Sequence, residues 1–141
     1  MKSDTRTLAI IKPDAVGSGL AGKVLAVLED AGLSLVAARV MTMSRAQAEA
    51  FYEIHSERPF FGDLVDFMTS GPCMPLALEG PDAVPLLRKV IGATDPAEAA
   101  PGTVRGLYAE DKSRNAVHGS DSNENAQREL AFFFGEADLL G

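Results

Sequence analysis

The stretch at residues 7–11, apolar from Leu8 onward and closed by Lys12-Pro13-Asp14, predicts a buried strand. Glycines at 17, 19 and 22 make a flexible turn, and Leu20, Val24, Val27, Leu28 and Ala31 then recur at helical spacing until Gly32. Residues 33–43 read as a second, long strand. Ser44 and Gln47 have the spacing of a capping box for a short helix carrying Phe51 and Tyr52. Pro59-Phe60-Phe61 opens a helical stretch with Phe61, Leu64, Val65 and Met68 on one face, stopped by Gly71-Pro72. Residues 73–78 follow as a third strand, in which Pro75 predicts an edge or a bulge. Asp82 stands where it can cap the next helix, with Pro85 in the first turn and Val84, Leu87 and Ile91 facing inward. Residues 93–102 read as loop, and the stretch to Asn115 as polar and irregular. Ala116-Val117 offers a stub of strand; Ser122 caps a last helix whose inward stripe is Ala126, Leu130 and Phe133, ended by Gly135.

About four strands interleaved with helices, joined by short connections, fit an antiparallel sheet covered on one face by helices, of the split βαβ kind. No repeat, low-complexity tract or long linker divides the chain, so its 141 residues read as one domain over 1–141, large enough to withdraw about two thirds of the extended chain's surface from water. Hydrophobic residues make up 46%, which excludes a disordered chain. The net charge of -7 argues against nucleic acid as a partner but leaves room for a small basic pocket. The lone Cys73, in an apolar run, removes intrachain disulfides and multi-cysteine metal sites and reads as a buried small hydrophobe. Asp4 and Arg6 precede only a short apolar stretch, without the length of a signal peptide or membrane span, so a soluble cytoplasmic protein is expected.

Several polar residues depart from a solvated-surface pattern. Arg88 lies between Val84 and Ile91 on the flank of a packed face, either snorkelling or aiming its guanidinium at an anion. Glu129, three after Ala126 and four before Phe133, is either a rim ion pair or the orienting partner of a base. His55 sits in a polar segment and reads as a surface residue. His118 follows an apolar pair and precedes Gly119, where the missing side chain would let a bulky anion approach the backbone. It reads as a general base, a nucleophile or a satisfied core histidine; an imidazole can attack phosphorus when a carboxylate such as Glu129 holds its other nitrogen.

Phosphoryl transfer needs fixed positive charge around the phosphate oxygens, and Lys12, Arg88, Arg105 and Arg114 are available after strands, on a helix rim or in the long loop. Thr94 adds a hydroxyl donor, Asn115 an amide able to meet a sugar hydroxyl, and Phe60 either a stacking platform or core packing. The early glycines lack Walker A spacing. Gly17, Gly19 and Gly22 match the glycine positions of G-x-G-x-x-G, but no acidic residue follows about twenty positions on.

The stretch Arg114-Asn115-Ala116-Val117-His118-Gly119-Ser120-Asp121-Ser122 resembles the active-site signature of the nucleoside diphosphate kinases. Ile11-Lys12-Pro13-Asp14, Arg58-Pro59-Phe60-Phe61, Ser70-Gly71-Pro72 and Pro101-Gly102-Thr103-Val104-Arg105-Gly106 resemble further blocks of that family in the same order, and the likeness runs to Phe132-Phe133-Phe134, at a length typical of its shorter bacterial members. The resemblance implies a ferredoxin-like α/β sandwich and transfer of the terminal phosphate of ATP or another nucleoside triphosphate to a nucleoside diphosphate, ping-pong through a phosphohistidine at His118. It implies attack from Nδ1 with Glu129 orienting the other ring nitrogen. Lys12, Arg88, Arg105 and Thr94 would hold phosphates, Tyr52 would position the lysine and histidine, Asn115 with Lys12 would meet the sugar, and Phe60 would stack on the base. Stacking alone would tolerate every base. Mg²⁺ would ride on the phosphates with no direct protein ligand, Asp121 reaching it through water, and a homo-oligomer paired through the second strand and its helix is implied.

Three departures stand out. Lys112 occupies a position often apolar in the family, so its stem would pack against the base with its ammonium in water. Leu107 stands where many members have aspartate. The chain stops at Gly141, short of the tail that braces subunits in larger members, and Pro96 lies in a loop resembling one that contributes subunit contacts there. Two other function classes make different demands on these residues. A ferredoxin-like module that senses nucleotides without transfer would keep Phe60, Lys12 and Asn115 but need neither His118 nor Glu129. An RNA binder would need exposed strand aromatics and a basic face, whereas these strands are aliphatic and the chain acidic.

Overall fold

Every residue of β1 (Arg6–Ile11) is buried, because this strand lies inside a four-stranded sheet of order β2-β3-β1-β4. β2 (Ser34–Ala38), β3 (Met74–Glu79) and β4 (Val117–Gly119) complete it, and each neighbouring pair is antiparallel. The computed structural model describes residues 5–140, so Asp4 and Gly141, on which the readings of the two chain ends rest, lie outside the described residues. The helices are α1 (Pro13–Gly17), α2 (Ala21–Asp30), α3 (Arg45–Phe51), α4 (Phe61–Met68), α5 (Ala83–Ile91), α6 (Val104–Tyr108) and α7 (Asn123–Phe133). None among the described residues is long and apolar enough to cross a membrane.

Strand alternation sorts the side chains into two cores. Ala9 and Ile11 of β1 and Leu76 and Leu78 of β3 join Val24 and Leu28 of α2 with Leu87 and Ile91 of α5. Leu8, Ile10 and Ala77 point the other way, to Phe51 of α3, Val65 and Met68 of α4 and Leu130 and Phe133 of α7. The expected antiparallel sheet with helical cover is present. Helices α2 and α5 supply the single covered face that was expected, and α3, α4 and α7 cover the second face as well, because each carries its own apolar stripe. Truncating a core leucine such as Leu87 or Leu130 to alanine should cost about 2–5 kcal/mol.

Local departures have local causes. The long second strand breaks after Ala38, with a bulge between Leu35 and Ala37 and only an isolated bridge from Met41 to Cys73 beyond. Pro75 lies in an internal strand, not at an edge. It survives there because the Arg39 N–H donates to its carbonyl, and the reciprocal bond, which proline cannot make, falls where β2 has already ended. Asp82 precedes α5 in a left-handed conformation, φ 49°, and its side chain makes no cap bond. Ser44 and Ser122 do cap, accepting from the Gln47 and Asn125 N–H groups. The short helices α1 and α6 were not expected. Cys73 is fully buried, as read, and burial pushes its thiol up to about 11.

Candidate active site

Alternation along β4 decides the site. Val117 joins the α5 core, so His118 must face the opposite side, where Phe51 and Tyr52 hold its ring edge-on at centroid distances of 5.5 and 6.1 Å. Gly119 then faces α5, where an added Cβ would meet Ile91 Cδ1 at 3.0 Å and Leu87 Cδ2 at 3.1 Å. Its missing side chain serves helix packing, while its backbone lines the cleft beside the imidazole, where an anion was expected to approach.

Helix α7 brings Glu129 to the same place. Its buried face runs Ala126, Glu129, Leu130 and Phe133, so one carboxylate is carried into the core by helical periodicity. Glu129 Oε1 lies 2.9 Å from His118 Nε2 and accepts from Ser120 Oγ at 2.7 Å. Sequence reasoning did not single out Ser120, since a serine two residues past a histidine carries no periodic signal. A carboxylate on Nε2 favours the tautomer with its proton there, leaving the Nδ1 lone pair free; Nδ1 has no hydrogen-bond partner among the described residues.

Around the imidazole lies a cleft of about 950 Å³, and all eleven residues singled out for the site line it: Lys12, Tyr52, Phe60, Arg88, Thr94, Arg105, Lys112, Asn115, His118, Asp121 and Glu129. His55 lines it too, half-buried with its ring 5.5 Å from that of Phe60, which corrects its reading as a surface residue. Phe60 itself is 47% exposed at the mouth, so it is a free aromatic face more than a core residue.

The cationic groups differ in how they are held. Lys12 is 7% exposed, donates from Nζ to Asn115 Oδ1 at 2.8 Å, and is lowered to about 8, first by burial and then by the Arg105 charge. Arg105 donates from Nη1 to the Gly92 carbonyl and from Nη2 to the Val117 carbonyl, each at 2.8 Å, tying the end of α5 to β4. Gly92 permits this with φ +88° and no Cβ, which would fall 2.6 Å from Thr103 Oγ1. Burial, then the Arg88 charge, presses against the positive charge of Arg105, but a guanidinium keeps its proton. Arg88 is exposed on the cleft wall. Arg114 also lines the cleft, with its guanidinium paired to Asp111, 2.9 Å away, and to Glu110.

Asn115 spends its Nδ2 on the Lys112 carbonyl at 3.0 Å and the Thr94 carbonyl at 3.4 Å, stitching the mouth loops together. Lys112 turns its ammonium toward Asp95 at 3.8 Å instead of leaving it to water alone. Asp121 is exposed on the rim, and its carboxyl is held below the usual range, first by the bond from Asn125 and also by the Arg88 charge. Leu107 lies exposed on α6, and nothing in the structure explains it in place of aspartate.

Fold and site together define an α/β sandwich whose acidic chain encloses a cationic cleft around one imidazole oriented by a carboxylate. The family model described as nucleoside diphosphate kinase matches residues 5–139, and the chain belongs to that family. It is 60% identical over 136 residues to a nucleoside diphosphate kinase of Phenylobacterium zucineum, covering 96% of this chain and 98% of the relative. It is 58% identical over 134 residues to that of Sulfurimonas denitrificans, covering 95% and 98%. Among solved structures it is similar to the Aquifex aeolicus nucleoside diphosphate kinase, TM-score 0.93, 41% identical, covering 96% of this chain and 99% of that one. It is also similar to the Halobacterium salinarum enzyme in complex with CDP, TM-score 0.92, 41% identical, covering 98% and 92%.

Proposed function

We propose that this chain moves the terminal phosphate of a nucleoside triphosphate to a nucleoside diphosphate in two half-reactions through a phosphohistidine at His118, as one catalytic domain over residues 1–141. The observation that carries this reading is the His118–Glu129 bond, which leaves Nδ1 free inside a cationic cleft. The Nδ1 lone pair forms a bond to the terminal phosphorus while the bond to the bridging oxygen breaks and the diphosphate leaves with that electron pair. The second half-reaction reverses this with a different diphosphate. Nε2 keeps its proton throughout, and Glu129 offsets the positive charge that develops on the ring. A nucleotide-binding module without transfer would have no use for this pair.

Lys12, Arg88, Arg105 and Thr94 hold the phosphates, and Lys12 with its partner Asn115 meets the sugar hydroxyls. The buried Tyr52 hydroxyl has no hydrogen-bond partner among the described residues, which suits a group that completes its bonding when the lysine and histidine are loaded. A kinase of this family needs a divalent cation. Asp121, a single carboxylate on the rim, fits a hydrated Mg²⁺ brought in by the phosphates, and no cluster of three metal-binding side chains exists among the described residues. Such an ion would neutralise phosphate charge. The site works in the cytoplasm within a homo-oligomer: β2 is an edge strand with Leu35 exposed, a surface that a second copy would cover.

The test is incubation with ATP labelled at the terminal phosphate, without acceptor. The protein should take up acid-labile, alkali-stable label and release it to any nucleoside diphosphate; an unlabelled wild-type protein would reject the reading. In the same assay Glu129→Gln should fold and phosphorylate about 10- to 100-fold more slowly, the worth of one charge-assisted hydrogen bond. An unchanged rate constant would show that the carboxylate does not orient the ring. Phe60→Ala should raise KM about tenfold, alike for purine and pyrimidine diphosphates, since stacking is worth about 1–3 kcal/mol per base. A steady-state series over four diphosphates checks it, and loss confined to one base would mean edge recognition instead.

A further inference from the structure

The backbone that delivers His118 is strained two residues earlier. Ala116 holds φ +73°, and the Val117 N–H donates to the Asn115 carbonyl at 2.8 Å across it, closing a three-residue γ-turn of the rare positive-φ form. A side chain crowds the backbone in that region, so the conformation persists only where surrounding contacts over-determine it. Two contacts do so, both from the segment after β1. The Lys12 N–H donates to the Ala116 carbonyl at 2.9 Å, extending the sheet pairing. The Ala116 N–H donates to Asp14 Oδ2 at 3.0 Å, across 102 positions of sequence.

Asp14 is otherwise poorly accounted for. It stands in the first turn of α1, yet its side chain reaches away to the turn before β4, and its other oxygen, Oδ1, is buried with no hydrogen-bond partner among the described residues. Burial raises its pKa while the Ala116 amide works against the rise. A half-buried carboxylate with one oxygen out of water and unbonded asks for an explanation beyond helix-end charge. Asp14 does not line the cleft, so it touches neither imidazole nor phosphate.

We propose that Asp14 is a positioning residue for His118, its carboxylate gripping the Ala116 amide so that the left-handed turn sets where β4 presents the imidazole. The proposal rests on His118 as the phosphorylated group. Helix α5 and Arg105 hold β4 from one side through the Val117 carbonyl, and Asp14 holds the turn from the other. Displacing a nucleophile by less than its own diameter weakens transfer far more than nucleotide binding, because binding is spread over the cleft while attack needs alignment.

Rapid-quench phosphorylation by ATP, with ADP affinity measured in parallel, tests this on four proteins: wild type, Asp14→Asn, Asp14→Ala, and Asp14→Ala combined with Ala116→Gly. Asparagine keeps an acceptor oxygen, and Asp14→Asn should stay within about 3-fold of wild type. Asp14→Ala should phosphorylate about 10- to 100-fold more slowly, with Kd for ADP within about 3-fold. Adding Ala116→Gly should recover most of that loss, since glycine accepts the left-handed turn without help. Equal rates for Asp14→Ala and wild type, equal losses in the alanine and asparagine variants, or a parallel loss of ADP affinity would each overturn the proposal. Hydrogen exchange at the Ala116 amide gives a reading that needs no transfer and does not depend on Asp14→Ala folding. The amide should be protected in wild type and in Asp14→Asn, and rapid exchange in wild type would refute the grip. An unlabelled wild type with a protected amide would sink the phosphohistidine reading while leaving the anchor in place.

Discussion

Replacing His118 with alanine should abolish the phosphoenzyme and lower kcat by about 10⁴-fold or more, because the side chain that carries the covalent intermediate is gone. Among the described residues no neighbour is placed to take over. Tyr52 is the nearest hydroxyl-bearing ring, but burial, reinforced by the Glu129 charge, pushes its phenol far up and away from an anionic nucleophile. Lys12 spends its ammonium on Asn115, and the Thr94 hydroxyl in the cleft wall has no base as a partner among the described residues. The variant should fold, since Glu129 keeps its bond from Ser120 and the space left is open to the cleft. Circular dichroism checks the fold, and labelling with coupled transfer assays checks the chemistry. Transfer at even a hundredth of the wild-type rate would mean that the phosphate passes by another route.

The site was more legible than its supports, for a physical reason. Glu129 breaks an apolar stripe at helical spacing, and His118 follows an apolar pair, so each shows as a polar residue where packing is expected. Ser44 and Ser122 announce helix starts because capping is local, within three residues. The unexpected features act over long sequence separations or short lengths. Asp14 meets Ala116 102 positions away, and Arg105 reaches carbonyls on two other elements; neither contact leaves a periodic trace. Helices α1 and α6 span five residues each, too short for a repeat of 3.6 to show. Pro75 misled because a missing donor is harmless wherever the neighbouring strand has already ended, and strand ends are the least visible feature of a sequence.

These supports share a design. The imidazole sits on a three-residue strand with little ladder of its own, paired among the described residues with β1 alone. Its placement is set by ties from outside the sheet: Arg105 on the Val117 carbonyl, Ser120 and Glu129 behind the ring, Phe51 and Tyr52 at its edges, and the strained turn before it. A short strand is easily displaced, so fixing it from several elements supplies the rigidity that a longer ladder would otherwise give, while leaving Nδ1 uncovered.

Lys12→Met should lower kcat/KM by about 10²- to 10³-fold, the scale seen when a buried donor to developing charge is removed, and should also erase a proton-linked signature of binding. In the free protein the ammonium is lowered to about 8 from an ordinary 10.5, chiefly by burial, so folding disfavours its charged form. The sign follows. Below pH 8 the lysine is protonated in both folded and unfolded chains, and the fold bears the full penalty, ~3 kcal/mol. Between pH 8 and 10.5 the unfolded chain binds more protons, so this group's contribution to stability rises with pH across that window. Phosphate oxygens reverse the preference by supplying the negative charge that the buried ammonium lacks. ADP binding at pH 8 should therefore take up about half a proton, read by titration calorimetry in buffers of different ionisation enthalpy. The uptake should fade toward pH 6, where the lysine is already charged, and vanish in Lys12→Met. Uptake that persists in the methionine variant would assign the proton to another group, and none in wild type would mean that the ammonium is not what the phosphates meet.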